Sequence, residues 1–516
     1  MRRPSLESLA QDTFDVVVIG GGVNGASAAQ QLASRGYRVL VVDKGDFAEG
    51  ATSRSSRILH CGLRHLAPGT SAWEFARHPL RFLVACQNAR KSMISQHQVA
   101  QTMGKLVRPF KFCVPIYKDG PYASWQMDAG FQLLKILGPR GHSLDYVRHR
   151  KETMDEVPYV RWLRDRDQLQ GIAVFRDYQF VTAERVVIDT LKDACQLGAV
   201  ARNYSECRGA TRVGDEWKLT LSDSLAPDAS VTVRAKLVIN ATGPWVDRTT
   251  AKLTGDQQQR MVGLKGIHLM VRLPRELADW GLMAITREGE TLYCLPWNGM
   301  HYIGPTRTPY GDNLDEVAAT AEEVAWVLAE TNHALPALRL TPADILFSWA
   351  GIQPVSFDKS EPKGTRAVKI HDLAALGSPN MLILTGGPIM TFRIIGKDLA
   401  DAVAQRVDPS ERPRQLSHEA SEVSAQLDDL DPTTSLDRIP DELVRDIVRE
   451  EQVLNLTDLF LRRTRAGYEH DQGCHHLEAT AEVVAGVLGW NQQRTRKEVE
   501  TYRAYLRHTF PNGRDD

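Results

Sequence analysis

The chain has 516 residues, too many for one ordinary hydrophobic core, so two or three domains sharing interfaces are expected. It is 42% hydrophobic and 25% charged, as in globular proteins, and its formal net charge of -1 gives no general attraction for nucleic acid. No run approaches the ~18 apolar residues of a membrane span, and the opening MRRPSLESLAQDTFD lacks the apolar centre of a secretory signal, which makes a cytoplasmic location the expectation.

The stretch Asp15 to Asp43 reads as a buried strand (Val16 to Ile19), a glycine turn, a helix from about Val23 to Arg35 and a second buried strand (Arg38 to Val42). Gly20, Gly22 and Gly25 form G-x-G-x-x-G within this βαβ unit. The first glycine permits the tight turn, the second lets backbone approach a pyrophosphate at the positive end of the helix, and the third lets helix pack on strand. Asp43, at the tip of the second strand, is placed to accept from a ribose hydroxyl. The order strand, turn, small-residue helix, strand and acid points to a dinucleotide site.

Next, KGDFAEGATSRSSRILHCGLRHLAP is too rich in Gly, Ser and Arg to be plain core, and is expected to face the active centre. Ser53, Ser55 and Ser56 can bond phosphate or carbonyl oxygens, while Arg54, Arg57 and Arg64 bring positive charge. A helical pattern runs from about Ala72 to Gln101. Pro109 to Pro121 reads as a hairpin strand pair ending at Asp119-Gly120, followed by a helix from Ala123 to Leu137.

Gly171 to Tyr204 reads as strand, loop, amphipathic helix from Thr182 and strand, a return to βαβ logic that makes the dinucleotide domain discontinuous. Trp217 to Val233 alternates as a hairpin does. A buried strand, Leu237 to Asn240, then enters the Ala241 to Trp245 turn, a second wall for the cofactor cleft. Such a wall, drawn from a distant return of the chain, favours FAD over NAD. From Leu264 to Gly311 the short β-like runs GIHLMVRL, LYCLPW and MHYIGPT suggest an antiparallel sheet, flanked by a helix from Leu314 to Asn332. In Met381 to Val403 a buried strand meets Gly386-Gly387, with a helix from about Thr391. Beyond Asp408 the pattern becomes charged and helical. Asp428 to Pro440 reads as a linker, and Glu478 to Leu488 and an Asn491-capped helix read as part of a small bundle.

Seven cysteines, none in C-x-x-C spacing, predict reduced thiols. His470, Cys474, His475 and His476 are metal-ligand types between two expected helices, but polar loop residues account for them as well, and no metal is expected.

Taken in order, GGGVNGASAAQQLASRGYRVLVVDKGDFAEGATSRSSRILHCGLRHL, LVINATGPWVD, LKGIHLMV, LPWNGMHYIGPT and VVAGVLGWNQQRTRKEVETY resemble the FAD-dependent glycerol-3-phosphate dehydrogenases and their oxidase relatives over most of the chain. The resemblance implies an α/β fold: a glutathione-reductase-like FAD-binding domain (12–90, 165–250 and 340–407), an antiparallel-sheet substrate domain (91–164 and 251–339) and a C-terminal helical domain (408–516). It implies that Gly20, Gly22, Gly25 and Asp43 hold the ADP half of FAD, that Thr52, Ser53, Ser55 and Ser56 lie along the ribityl and flavin, and that Thr242 and Gly243 contribute to the cleft. Gly387, Ile389, Met390 and Thr391 would meet the flavin pyrimidine end. His60 would take the alcohol proton as hydride moves to the flavin, a task suited to an imidazole. Arg64 would fork onto an anionic substrate, with His65, Lys265, His268, Arg307 and Gln353 around it.

The implied reaction is oxidation of a secondary alcohol of a small polyol phosphate, with electrons passed to quinone or oxygen. Oxidation of another small anionic alcohol or amine (an amino acid, a phosphonate) and flavin binding without turnover are the alternatives. A homodimer and a peripheral contact with the inner membrane face stay open. Three departures fall in the substrate pocket. The family's S-G-x-R-P is Ala350-Gly351-Ile352-Gln353-Pro354 here, its G-G-K-x-T-T is Gly386-Gly387-Pro388-Ile389-Met390-Thr391, and the tyrosine after the active-site arginine is His65. An arginine and a lysine are thus replaced by Gln353 and Pro388, which would weaken a bound phosphate by roughly 100-fold or more unless other charges substitute. Arg307, Arg366 and Arg393 are available to do so.

Overall fold

The computed structural model describes residues 1–66, 78–418, 420–429 and 439–511. Its first sheet grows from the βαβ unit. Thr13–Ile19 and Val39–Val42 are continuous apolar runs because they are covered on both faces, and they lie side by side in parallel. The parallel order is Met381–Thr385, Ala226–Asn240, Thr13–Ile19, Val39–Val42 and Val200–Arg202, with Lys369–Asp372 antiparallel on the outer edge. The first half of Ala226–Asn240 instead pairs antiparallel with Glu216–Asp223, which pairs with Ser205–Val213.

Helices Val23–Ser34, Ala183–Gln196 and Phe392–Ala404 cover one face, burying Ala26, Ala29, Val186, Ile395 and Leu399 against Val16, Val18, Val39 and Val41. Small residues let them close up. A Cβ on Gly396 would stand 2.3 Å from Ser27 Oγ and 2.7 Å from Ser27 backbone. On the other face Leu6, Leu9, Trp217 and Leu219 pack on Val17 and Leu40.

Among the described residues the second sheet has eleven strands and is antiparallel except where Trp280–Ile285 runs parallel to Val107–Tyr117. Val107–Tyr117 is one long strand, not the two arms of a hairpin. Phe110, Phe112, Val114 and Ile116 bury on one face and Cys113 on the other, a period of two held without interruption, and the strand pairs with Leu169–Phe180 from end to end. Leu169–Phe180 and Ile345–Asp358, expected to belong with the dinucleotide-binding segments 165–250 and 340–407, therefore hydrogen-bond into this second sheet, the latter through Met261–Val271. An apolar run shows that a strand is buried but does not name its partner.

Of the expected helix from about Ala72 to Gln101, the part up to residue 77 lies outside the described residues, and Pro79–Thr102 is helical. The expected Leu314 start falls earlier than the observed helix Ala321–Ala334, where Thr320 and Glu323 form a reciprocal cap. Most of the expected linker from 428 to 440 also lies outside the described residues.

The C-terminal helices include Asp441–Glu450, Leu477–Leu488 and Gln492–Thr509. Gly489 ends the second in the left-handed region (φ 70°), and the Asn491 side chain caps the third by accepting from Arg494 N–H at 2.8 Å. Their apolar faces do not form a separate bundle core. Tyr468, Tyr502, Leu506 and Phe510 join Trp297, Phe347 and Trp349 of the second sheet in one cluster. All seven cysteines are free thiols, and among the described residues no helix is long and apolar enough to cross a membrane.

Candidate active site

The C-terminal ends of the parallel strands open onto a cleft of about 680 Å³ that continues under the second sheet. At its closed end Gly20 has φ +108°, and a Cβ there would stand 2.6 Å from the Ala241 carbonyl oxygen. The two expected walls therefore touch at a position that requires glycine. A Cβ on Gly25 would stand 1.9 Å from Gly20 O, so the third glycine allows the helix to sit on the turn. Gly22 begins the helix without a side-chain cap, and the nearest atom to a Cβ there would be Thr52 Oγ1 at 3.4 Å. An uncapped helix start bordered by glycine suits the close approach of a pyrophosphate.

Asp43 accepts from the backbone N–H groups of Gly21 (2.7 Å) and Gly45 (3.0 Å), so it braces the turn while lining the cleft. Burial raises its pKa to about 6, against the lowering effect of those two bonds. Thr52 Oγ1 accepts from Val23 N–H at 3.1 Å and fixes the loop to the helix start.

The serine and arginine loop is bolted in place from beneath. Arg57, in the left-handed region at φ 56°, forms a fully buried ion pair with Glu184 (2.7 Å), and its guanidinium lies over Trp297 and Tyr468 at 4.4 and 4.7 Å. Tyr468 OH donates to the same Glu184 carboxylate at 3.0 Å. Arg54 donates to the Ala350 carbonyl and to Tyr505 OH, both at 3.1 Å. The C-terminal helix thus reaches the cleft, where Tyr505, His508 and Thr509 join its lining. Nothing in the sequence of that helix signalled this, because its tyrosines read as one apolar face.

The opposite wall carries Thr242 and Gly243, with Thr242 Oγ1 donating to Asn240 Oδ1 at 2.7 Å. Gly386 and Gly387 are both left-handed (φ 72° and 95°), and they deliver Pro388, Ile389 and Met390 to the cleft ahead of the Phe392–Ala404 helix.

Under the second sheet the cleft gathers His60, Arg64, His268, Tyr293, Arg307, Gln353 and Arg366. The His60 ring lies 5.8 Å from that of Tyr293. Burial first, then the charges of Arg64 and Arg366, holds the His60 pKa well below 6.5, so its ring is neutral at physiological pH. His268 is pushed down to about 3 by burial and by Arg57. It stacks on Trp349 at 4.8 Å, shares a 3.1 Å hydrogen bond with Ser56 Oγ, and leaves Nδ1 buried without a partner. Burial lowers Arg64, and lowers Arg366 to about 9 with help from Arg64 and Arg307, although Arg366 as a whole residue is exposed at the mouth of the cleft. No acidic side chain among the described residues forms an ion pair with Arg64, Arg307 or Arg366. Asp177, which attracts Arg64, is itself pushed well above the usual carboxylate range by burial, and Glu290 is paired with Lys363 at 3.0 Å.

Most of the sequence-predicted residues meet in this cleft, but five do not line it: Gly25 lies beneath the glycine turn, and the other four turn their side chains elsewhere. Lys265 points to the other side of its strand and pairs with Glu323 at 2.7 Å, because side chains alternate and Leu264, Gly266 and His268 take the cleft face. His65 turns away to Ser92 Oγ at 3.2 Å, with its pKa lowered to about 4 by burial and Arg64. Ser53 Oγ donates to the Glu49 carbonyl at 3.0 Å, and Thr391 Oγ1 to the Pro388 carbonyl at 3.0 Å, so both hydroxyls serve the local turn. Arg393, offered above as a replacement charge, donates to Thr102 Oγ1 at 2.7 Å and lies outside the cleft. Tyr293 is a further cleft residue that sequence reasoning passes over, because LYCLPW reads as ordinary strand.

Comparison with known proteins agrees with this geometry. A family model described as FAD dependent oxidoreductase matches residues 15–402, and one described as the C-terminal domain of alpha-glycerophosphate oxidase matches residues 400–495. The chain is 27% identical to a glycerol-3-phosphate dehydrogenase of Synechocystis, covering 98% of this chain and 97% of that one. It is 27% identical to the aerobic glycerol-3-phosphate dehydrogenase of Bacillus subtilis, over 78% of this chain and 69% of that one. Among solved structures, the glycerol-3-phosphate dehydrogenase of Bacillus halodurans complexed with FAD superposes with a TM-score of 0.71 at 22% identity, covering 98% of this chain and 96% of that one. The L-alpha-glycerophosphate oxidase of Mycoplasma pneumoniae gives 0.59 at 16% identity, covering 79% and 98%. The glycine turn, the second wall and the matched span together place the chain in the FAD-dependent oxidoreductase family, as an enzyme whose cofactor is FAD.

Proposed function

We propose that this enzyme oxidises the secondary alcohol of a small polyol phosphate, glycerol 3-phosphate or an analogue, and passes the electrons to a quinone or to oxygen. The observation that carries this reading is a neutral imidazole, His60, beside guanidinium groups that have no acidic partner, in the same cleft as the glycine cradle. The names and identities of the Synechocystis and Bacillus subtilis relatives support it.

Gly20, Gly22 and Asp43 hold the ADP half of FAD at the turn that Gly25 allows to close, and Thr52 and Ser55 border its length. Bound FAD supplies the acceptor for the hydride that leaves the carbinol carbon. Arg64 draws the substrate anion toward His60, and His60 takes the hydroxyl proton through its free ring nitrogen. Burial, and then the neighbouring arginines, disfavour the protonated form of His60, so the proton it takes is passed on readily to solvent. Ser56 and Trp349 fix the His268 ring at the edge of the site.

The test is an anaerobic screen of the FAD-loaded protein with glycerol 3-phosphate, other polyol phosphates, 2-hydroxy acids, phosphonates and amino acids. Bleaching of the visible flavin band by a polyol phosphate is expected. Bleaching by amino acids alone, with ammonia released, would overturn the proposal.

A further inference from the structure

Two of the departures from the family pattern leave the substrate pocket without the arginine and lysine expected at Gln353 and Pro388, yet both replacements still line the cleft. Arg307 enters from the opposite side. Its loop is held rigidly, because Thr306 Oγ1 accepts from Ile267 N–H at 3.0 Å, while the flanking pairs Leu269↔Ile303 and Lys265↔Thr308 clamp both ends to the Met261–Val271 strand. Gly266 makes room for this, since a Cβ there would stand 3.0 Å from Pro305 Cβ and from Thr306 O. The result is a guanidinium aimed into the cleft with its Nε buried and unpartnered, close enough to Arg64 and Arg366 for their charges to act on one another.

A buried donor without a partner is costly, and three mutually repelling cations without an acid more so, unless a ligand completes the site. We infer that Arg307 is the specificity-determining residue of this pocket. With Arg64 and Arg366 it forms a cradle for a doubly charged oxyanion, so the substrate carries a phosphate or phosphonate dianion rather than a lone carboxylate. This rests on the reading of the cleft as a substrate site, and it moves the anion from the Gln353 and Pro388 side to the Arg307 loop.

The experiment is calorimetric titration of the FAD-loaded protein with inorganic phosphate at pH 8, with sulfate as a second dianion and acetate as a monoanion. Wild type is expected to bind phosphate and sulfate, and acetate at least tenfold more weakly. Arg307→Gln should weaken the dianions by about 10- to 100-fold, as befits loss of a charge-assisted hydrogen bond, with partial recovery in Arg307→Lys. Equal dianion affinity in wild type and Arg307→Gln would overturn the inference, as would no dianion binding by wild type. If Arg307→Gln fails to load FAD, the comparison of Arg307→Lys with wild type decides, because a point charge that cannot fork should still bind measurably less well. Binding is read without turnover, so a failed flavin-reduction screen and a failed anion titration are separate results.

Discussion

At the scale of single residues, the cleft is specified by what its neighbours exclude. Gly25→Ala places a methyl group 1.9 Å from the Gly20 carbonyl oxygen, backbone that cannot move aside. The expected outcome is a protein that purifies without flavin, checked by the ratio of visible to ultraviolet absorbance. His60 gives a kinetic expectation. Because burial and the arginines hold its pKa well below 6.5, the acid limb of kcat/KM should fall below pH 6.5, and His60→Ala should cost about 10²- to 10⁴-fold in the rate of flavin reduction.

Asp43 predicts a pH dependence of stability in the flavin-free protein. Its folded pKa is raised from 3.8 to about 6, so its contribution is fully present below pH 3.8 and is lost as pH rises through 6. The melting temperature of Asp43→Asn relative to wild type should therefore rise between pH 4 and pH 7, as followed by differential scanning fluorimetry.

At the scale of elements, the loop carrying Ser55 and Ser56 is positioned by an ion pair rather than by its own propensity. Glu184 lies in the first turn of the Ala183–Gln196 helix and fixes Arg57 from below. Glu184→Gln leaves a buried guanidinium without its counter-charge and should destabilise the protein by about 3 to 5 kcal/mol in denaturant titrations.

This scale also marks where the sequence was legible. The βαβ unit could be read because strand, turn and helix are local and each has its own period. The long Val107–Tyr117 strand reads as a hairpin because Asp119-Gly120 is a turn signal at its end, although the alternation of buried residues from Phe110 to Ile116 belongs to one strand whose partner, Leu169–Phe180, lies far along the chain. Lys265 was assigned to the substrate, yet Gly266 and His268 already claim the cleft face, so the period of two places Lys265 on the other. His65 fails for the helical counterpart of that reason, since adjacent helical side chains point about 100° apart. The reach of Arg54 to Tyr505, 451 positions along the chain, left no local trace.

At the scale of the whole molecule, the C-terminal helices complete the structure rather than hang from it. Asp46, three residues after Asp43, is buried against Arg462 and Arg463, both at 2.7 Å, and Arg185 bonds Glu451. The two arginines outweigh burial and keep the Asp46 carboxyl far below the usual range. Together with the apolar cluster shared by Tyr468, Phe510 and Trp349, these contacts predict that a chain ending at residue 407 would expose buried charge and core, and would be recovered aggregated and free of flavin. A soluble, yellow truncated protein in gel filtration would contradict that.

The chemistry proposed for this cleft is removal of hydride from a carbinol carbon next to a bound anion. It is tested most directly by rapid anaerobic mixing of the FAD-loaded enzyme with glycerol 3-phosphate carrying hydrogen or deuterium at that carbon. The prediction is bleaching of the flavin that is several-fold slower with deuterium and nearly abolished in His60→Ala. Bleaching at the same rate with both isotopes and unaffected by the His60 change, or none at all, would contradict it.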